Sequence, residues 1–260
     1  MIDLDIKQHI ATLTLNNPKA LNALDKASLF KLGDVLGDLD ARDDVRVIIL
    51  TGAGGTFCSG ENLRESSDFD EAGFRDIIYG FQRITRLMRT MRKPLIAAID
   101  GYAMGGGFEI ALSCDLRLCT ERAKFATPEV NIGQAVTNAA SLILARIIGE
   151  GLAREMIFTG EMVDAKRAYE IGLVNRVVSV DNLMNESHQL AARIASRSTP
   201  AVQASKSLLD DAQNPDIERA MMLEFERIME LYGTEQFKEG VRAFLEKREA
   251  NFKGSVFSDQ

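Results

Sequence analysis

Residues 101–115 read GYAMGGGFEIALSCD, an apolar run that passes through three glycines into a helical pattern. The residues before it, LIAAID at 95–100, form the nearly continuous apolar run of a strand covered on both faces. The first N–H groups of a helix lack internal acceptors and carry partial positive charge, so such a terminus favours an oxyanion. Glycine at this point lets a substrate carbonyl approach the backbone closely. On their own, three glycines serve equally well for a tight turn and close helix packing.

The same device stands one unit upstream. VRVIIL, starting at Val45, is a second buried strand, and it empties into TGAGGTFCSG. Two strands released through glycines predict an α/β fold of stacked strand-turn-helix units. IATLTL at 10–15 reads as a further strand, followed by the turn NNPKALNAL and a helix to about Asp40. A helix rich in exposed arginines spans about Phe74 to Met91, and LRLC at 116–119 and LVNRVV at 173–178 are short strands. From Asp181 onward the pattern is helical, broken at Pro200 and Pro215, with Ile217, Ala220, Met221, Phe225, Ile228 and Leu231 at three-to-four spacing. That oily face either caps its own body or packs on a neighbouring subunit. The chain divides at 1–196, the α/β core carrying the site, and 197–260, a helical region.

Composition narrows the function. The 260 residues, 46% apolar and 27% charged, are ordinary for a globular chain. Thirty-eight acidic against 31 basic residues give a net charge of −7, which repels a nucleic acid duplex. A small phosphorylated ligand needs only a few cations and oriented amides. Cys58, Cys114 and Cys119 lack CxxC spacing, so neither a disulfide framework nor a metal site is expected. The N-terminus lacks a signal-peptide pattern and no window has the length of a membrane span, so a cytoplasmic protein is expected.

Two carboxylates stand close to the glycines. Glu109 is two positions after the last of them, on the first turn of an otherwise apolar helix, and is either a surface group satisfying the helix dipole or a reactive group against an oxyanion site. Glu129 lies in KFATPEVNIG among apolar neighbours. The loop TFCSGENL at 56–63 follows the adjacent buried strand and can offer a second backbone N–H to the point served by residues 105–107, the minimum equipment for stabilising an enolate. Rival chemistries fit less well. GAGGTF at 52–57 fails the dinucleotide fingerprint, no GK[ST] is present, and Cys58 or Ser59 has no nearby base, because the only histidines are His9 and His188.

The segments NPKALNAL, VIILTGAGGTFCSGENL, KPLIAAIDGYAMGGGFEIALSCDLRLCTERAKFATPEVNIG, MIFTGEMVDAKRAYEIGLVNRVV and AFLEKREANFK together resemble the enoyl-CoA hydratase/isomerase (crotonase) superfamily over about residues 5–254. The resemblance implies a crotonase-like spiral of ββα units with C-terminal helices that assemble trimers and commonly hexamers. It implies an acyl-CoA thioester substrate, water added or removed across the α,β bond, and no cofactor, coenzyme A being part of the substrate. By resemblance the amides of Glu61 and Gly106 form the oxyanion hole, and Glu109 and Glu129 flank the α,β bond. Lys19, Leu21, Ala23, Ser59, Asn62, Leu63, Tyr102, Gly105 and Pro128 line the CoA and acyl site, with Lys247 near the phosphates, from the same or a neighbouring subunit. A double-bond isomerase, a ring-directed hydratase or hydrolase, and a non-catalytic binding protein on the same fold are the alternatives.

Two departures from the family pattern stand out. Gly60, Glu61 and Asn62 occupy a GAD-like position, adding the Glu61 carboxylate near the thioester or adenine pocket. After Glu129, a glycine-rich stretch is replaced by Gln134 to Arg146, and Thr127 stands where a glutamine is common. The resemblance puts that segment beside the acyl pocket. The expectation is that Val136, Thr137, Asn138 and Leu142 reshape the pocket without altering the proton-transfer machinery, favouring a branched, cyclic or functionalised acyl group over crotonyl-CoA.

Overall fold

The structure is a computed structural model that describes residues 2–211, 229–230 and 234–252. Its main sheet has six strands in the order β1–β2–β3–β4–β6–β9. These are β1 (Ile2–Lys7), β2 (Ile10–Leu15), β3 (Val47–Gly52), β4 (Leu95–Ile99), β6 (Leu116–Thr120) and β9 (Arg176–Val178). All neighbours are parallel except β1 and β2, which form a hairpin pairing Lys7 with Ile10. Its two-residue turn, Gln8 and His9, has positive φ at both positions, matching the right-handed twist of the strands. A smaller sheet joins β5 (Tyr102–Met104), β7 (Lys124–Ala126) and β8 (Val163–Asp164).

The spiral follows from how the chain moves between the two sheets. After β3, Cys58 makes a parallel bridge to Ala103, and the chain enters α2 (Leu63–Ser66) and α3 (Glu71–Thr90). After β4, Gly101 turns at φ +59 into β5 and then α4 (Gly106–Ser113). A Cβ at Gly101 would stand 2.1 Å from the Gly55 carbonyl oxygen, so only glycine lets the two turns stack. After β6, β7 leads through a 3₁₀ turn (Pro128–Ile132) to α5 (Ala140–Ile148). Each circuit is a ββα unit, as the family resemblance implies.

Both faces of the main sheet are covered, which explains why β3 and β4 read as continuous apolar runs. One face meets α1 (Lys26–Ala41), α3 and α4 through Leu29, Leu36, Ile77, Phe81, Phe108 and their neighbours. The other is closed by α8 (Leu183–Ala195), whose Leu183, Ala191 and Ala195 pack on Val47, Ile49, Ile96 and Ala98. Other helices among the described residues are α6 (Glu150–Thr159), α7 (Ala165–Glu170), α9 (Thr199–Asp211) and α10 (Glu235–Glu246). The arginine-rich helix α3 starts three residues earlier than its apolar periodicity suggests, because Asp70 caps it by accepting from the Gly73 N–H.

α9 is tied to the body by Lys206, whose Nζ lies 2.6 Å from Asp115 Oδ1 and 2.7 Å from Oδ2. Farther along, Arg46 donates to the carbonyls of Ala195 and Phe252. Ile217, Ala220, Met221, Phe225, Ile228 and Leu231, the oily face read from the sequence, lie outside the described residues. All three cysteines are buried and free. Among the described residues, no helix is long and apolar enough to cross a membrane.

Candidate active site

The two glycine loops meet. A Cβ on Gly60 would lie 3.1 Å from the Gly106 amide nitrogen and 2.8 Å from the Met104 carbonyl oxygen, and one on Gly107 would lie 2.3 Å from the Cys58 carbonyl oxygen. Cys58 N–H donates to Tyr102 O and Met104 N–H to Cys58 O, each at 3.0 Å, so the 56–61 loop runs as an added strand beside β5. The opposite edge of this loop is fixed by Leu24, which donates to Gly60 O and accepts from Asn62 N–H. That parallel bridge, Leu24 with Glu61, turns the Glu61 N–H away from Leu24. Gly106 begins α4, so its N–H has no partner within the helix. Among the described residues neither amide is bonded to an acceptor, and the close approach of Gly60 to Gly106 brings the two loops that carry them into contact.

Both acids stand on or against the start of α4. Glu109 is 1% exposed, far from the surface role that its position alone allowed. Its Oε1 accepts from Thr137 N–H at 2.7 Å and its Oε2 from Asn138 Nδ2 at 2.7 Å. Burial pushes its carboxyl up from 4.5 to about 7, the two hydrogen bonds pull the other way, and the charge of Glu129 adds to the rise. Glu129 is 9% exposed, and its Oε1 lies 3.2 Å from where a Cβ on Gly105 would stand. Burial raises its pKa as well, and among the described residues its buried Oε2 has no hydrogen-bond partner. Gly105, at φ +50, therefore both starts the helix and leaves room for the second carboxylate.

Of the other residues singled out, Gly105 and Pro128 adjoin the acids. Ser59 N–H donates to Leu21 O, which places the 18–24 turn against the first oxyanion loop. Lys19, Leu21, Leu63 and Tyr102 are exposed around this turn and β5, while Ala23 and Asn62 are half-buried. Lys247 is exposed at positive φ after α10. Thr127 faces away from the acids, its hydroxyl donating to Met156 O. Glu61 keeps a buried Oε1 that has no partner among the described residues. His9 is exposed and bonds the Asp44 carbonyl, and His188 is half-buried against Thr12.

One expectation is corrected. Gln134 to Arg146 does not reshape a pocket independently of the machinery, because Thr137 and Asn138 are the two hydrogen-bond donors to Glu109. Leu142 is exposed on α5, and Val136 packs on the core. A carboxylate with 1% exposure needs donors, and a polar Thr-Asn pair just ahead of an apolar helix was the available signal. Asn22 was likewise missed. It is buried in the 18–24 turn, accepts from Asn17 N–H, and donates to the carbonyls of Ala53 and Thr56, locking the turn to both ends of the glycine loop.

Comparison with known proteins agrees with this geometry. Residues 5–255 match the family model described as enoyl-CoA hydratase/isomerase. A crotonyl-CoA hydratase of Syntrophomonas wolfei is 36% identical over 252 residues, covering 96% of this chain and 97% of the relative. A short-chain-enoyl-CoA hydratase of Clostridium acetobutylicum is 37% identical, covering 92% of each chain. The crystal structure of an enoyl-CoA hydratase from Bacillus anthracis superposes with a TM-score of 0.95 at 32% identity, covering 98% of this chain and 99% of that one. On this fold and with these matches, the chain belongs to the enoyl-CoA hydratase/isomerase family and is an enzyme of the enoyl-CoA hydratase kind.

Proposed function

We propose that Glu109 and Glu129 hydrate the α,β double bond of a short-chain enoyl-CoA, with the thioester oxygen held by the amides of Glu61 and Gly106. The observation that supports this reading is the contact between the two loops that carry these N–H groups, together with two buried carboxyls whose pKa values are both raised. The N–H groups polarise the thioester carbonyl and stabilise the enolate that forms from it. Glu109, with a donor on each oxygen, serves as the carboxylate that takes a proton from water as the water oxygen bonds to Cβ. Glu129, with a buried oxygen that has no donor among the described residues, carries the proton that passes to Cα. The proton gained by Glu109 replaces the one given up by Glu129, passing through solvent before the next turnover, so one water is added in all. A carboxyl with a pKa of about 7 can take and return a proton at neutral pH, where general acid-base catalysis is most effective. In the reverse direction the two roles exchange.

Hydration moves no electrons between substrate and protein, so thioester and water complete the reaction, and coenzyme A enters as part of the substrate. The names of the two relatives support a short acyl chain. Thr137 and Asn138 are engaged by Glu109, so the altered segment acts on the acid whatever it does to the acyl side. A trimer or hexamer is part of the proposal, supported by the exposed apolar side chains Ile132, Phe158 and Met162 on adjoining elements, and a neighbouring subunit would complete the site at Lys247. The test is incubation with short, long, branched and ring-bearing α,β-unsaturated thioesters, read by mass spectrometry. Gain of one water, fastest on short straight chains, is expected. Isomerisation at unchanged mass, or turnover confined to ring-bearing thioesters, would overturn the assignment.

A further inference from the structure

We propose that Asn138 is a positioning residue that serves both protonation states of Glu109 by turning its side-chain amide over. This rests on the reading of Glu109 as a proton-transfer group and deepens it. A group that takes a proton in each turnover must be held as a carboxylate and then as an acid, and the two forms need opposite partners. The carboxylate only accepts hydrogen bonds, and the acid must also donate one. Thr137 contributes a backbone N–H, which can only donate. Asn138 carries both kinds of group on one planar amide.

In the structure, Nδ2 donates to Glu109 Oε2 at 2.7 Å, the arrangement suited to the carboxylate. Oδ1 of the same amide is buried and bonds to nothing among the described residues. A half-turn of the amide exchanges the two ends, so that Oδ1 accepts from the O–H of protonated Glu109. Because Oδ1 has no bond to give up, the turn breaks only the bond that it replaces. The terminal torsion of asparagine is broad and roughly two-fold, so both orientations suit the rotamer. The backbone need not move. Asn138 sits at φ +54 and Ala139 at +57, and the Ala140 N–H bond to Thr137 O and the Ile143 N–H bond to Ala139 O fix this left-handed turn. Asparagine tolerates that backbone better than most residues.

Asn138 is the side chain bonded to Glu109 in the structure, and beside it half-buried Gln82 of α3 donates to the Thr137 hydroxyl. The buried side chains on elements packed against α4 include Phe81, Thr85 and Met88 of α3, Ala103 of β5, and Ala140 and Leu144 of α5, none of them titratable. Tyr102 on β5 and Arg146 on α5 are exposed. Glu129, and Glu61 in the facing oxyanion loop, are acids and cannot donate while ionised. Asn138 neither gains nor loses a proton. It changes only which of its ends faces Glu109.

The test compares Asn138→Leu, nearly the same shape without polar atoms, with Asn138→Ser, whose hydroxyl can both donate and accept. Rates are measured from pH 5 to 9 on an enoyl-CoA thioester, with Glu109→Gln alongside. Expected for Leu is a loss in kcat of about 10- to 100-fold with KM little changed, and a rising limb of kcat/KM moved to higher pH by about one pH unit, since the carboxylate has lost a donor. Serine should recover part of both effects. A Leu profile superimposable on the wild-type profile, or Leu and Ser equally slow with the limb unmoved, overturns the proposal as packing alone. If Leu fails to fold, the serine profile decides by the same criterion. An inactive Glu109→Gln beside an unmoved limb sinks the Asn138 role only, whereas a fully active Glu109→Gln sinks the proton-transfer reading as well.

Discussion

Glu109→Gln should make the protein more stable at alkaline pH while removing its activity. The structure places this carboxyl at 1% exposure and moves its pKa from 4.5 to about 7, burial being the largest cause. An acid whose folded-state pKa is raised binds its proton more tightly folded than unfolded. Its favourable contribution is therefore complete below about pH 4.5, fades as pH rises through about 7, and is absent above that. At 1.36 kcal/mol per pH unit, the wild type gives up about 3 kcal/mol between those limits. Glutamine, neutral throughout, escapes that loss. Its carbonyl oxygen can accept from Thr137 N–H, and its amide can donate to Asn138 Oδ1, which has no partner among the described residues. Urea denaturation of both proteins across pH 5 to 8 measures the gap. The variant should exceed the wild type by about 2–3 kcal/mol at pH 8, narrowing to under about 1 kcal/mol at pH 5. A gap that is absent at pH 8, or that does not vary with pH, would refute the claim that Glu109 is ionised at a desolvated site.

Gly107→Ala places a Cβ 2.3 Å from the Cys58 carbonyl oxygen and must part the two oxyanion loops, so kcat should fall by about 10²- to 10³-fold. Gly37→Ala, in α1 with nothing within 4 Å of its Cβ, is the control, and should leave turnover unchanged and raise stability by up to about 1 kcal/mol. Cys58, Cys114 and Cys119 are buried, and burial pushes each thiol up to about 12, so the native enzyme at pH 8 should resist a disulfide reagent that titrates all three after denaturation. Sedimentation at micromolar concentration should show a trimer or hexamer, and a monomer would require Lys247 to act, if at all, within its own chain.

Much of this architecture was legible in the sequence because burial on both faces of β3 and β4 leaves uninterrupted apolar runs, and because only glycine permits the approaches at Gly101 and Gly107. The β1 strand was not. Its six residues alternate apolar and polar, but only Ile2 and Ile6 pack on the core while Leu4 stays exposed, and the strand is held mainly by its hairpin turn and backbone pairing. The positions of Glu61, Gly106, Glu109 and Glu129 followed from the family motifs, whereas the burial of Glu109 did not follow from its place on a first helical turn. What the sequence concealed most was the work of Thr137 and Asn138. One donates through a backbone N–H and the other from a left-handed turn without glycine, and neither has a periodicity that marks it, the local sign being a polar pair just ahead of an apolar helix.

The most direct test of the two-acid site is turnover of an enoyl-CoA by Glu109→Gln and Glu129→Gln, each measured together with affinity for the thioester. Both variants keep the shape of the site and the oxyanion amides but cannot exchange a proton at the substituted position. The expected result is a fall in kcat of at least about 10²-fold in each, with thioester affinity little changed. Near-normal turnover in both would falsify the two-acid mechanism, and normal turnover in one alone would replace it with a single-acid cycle.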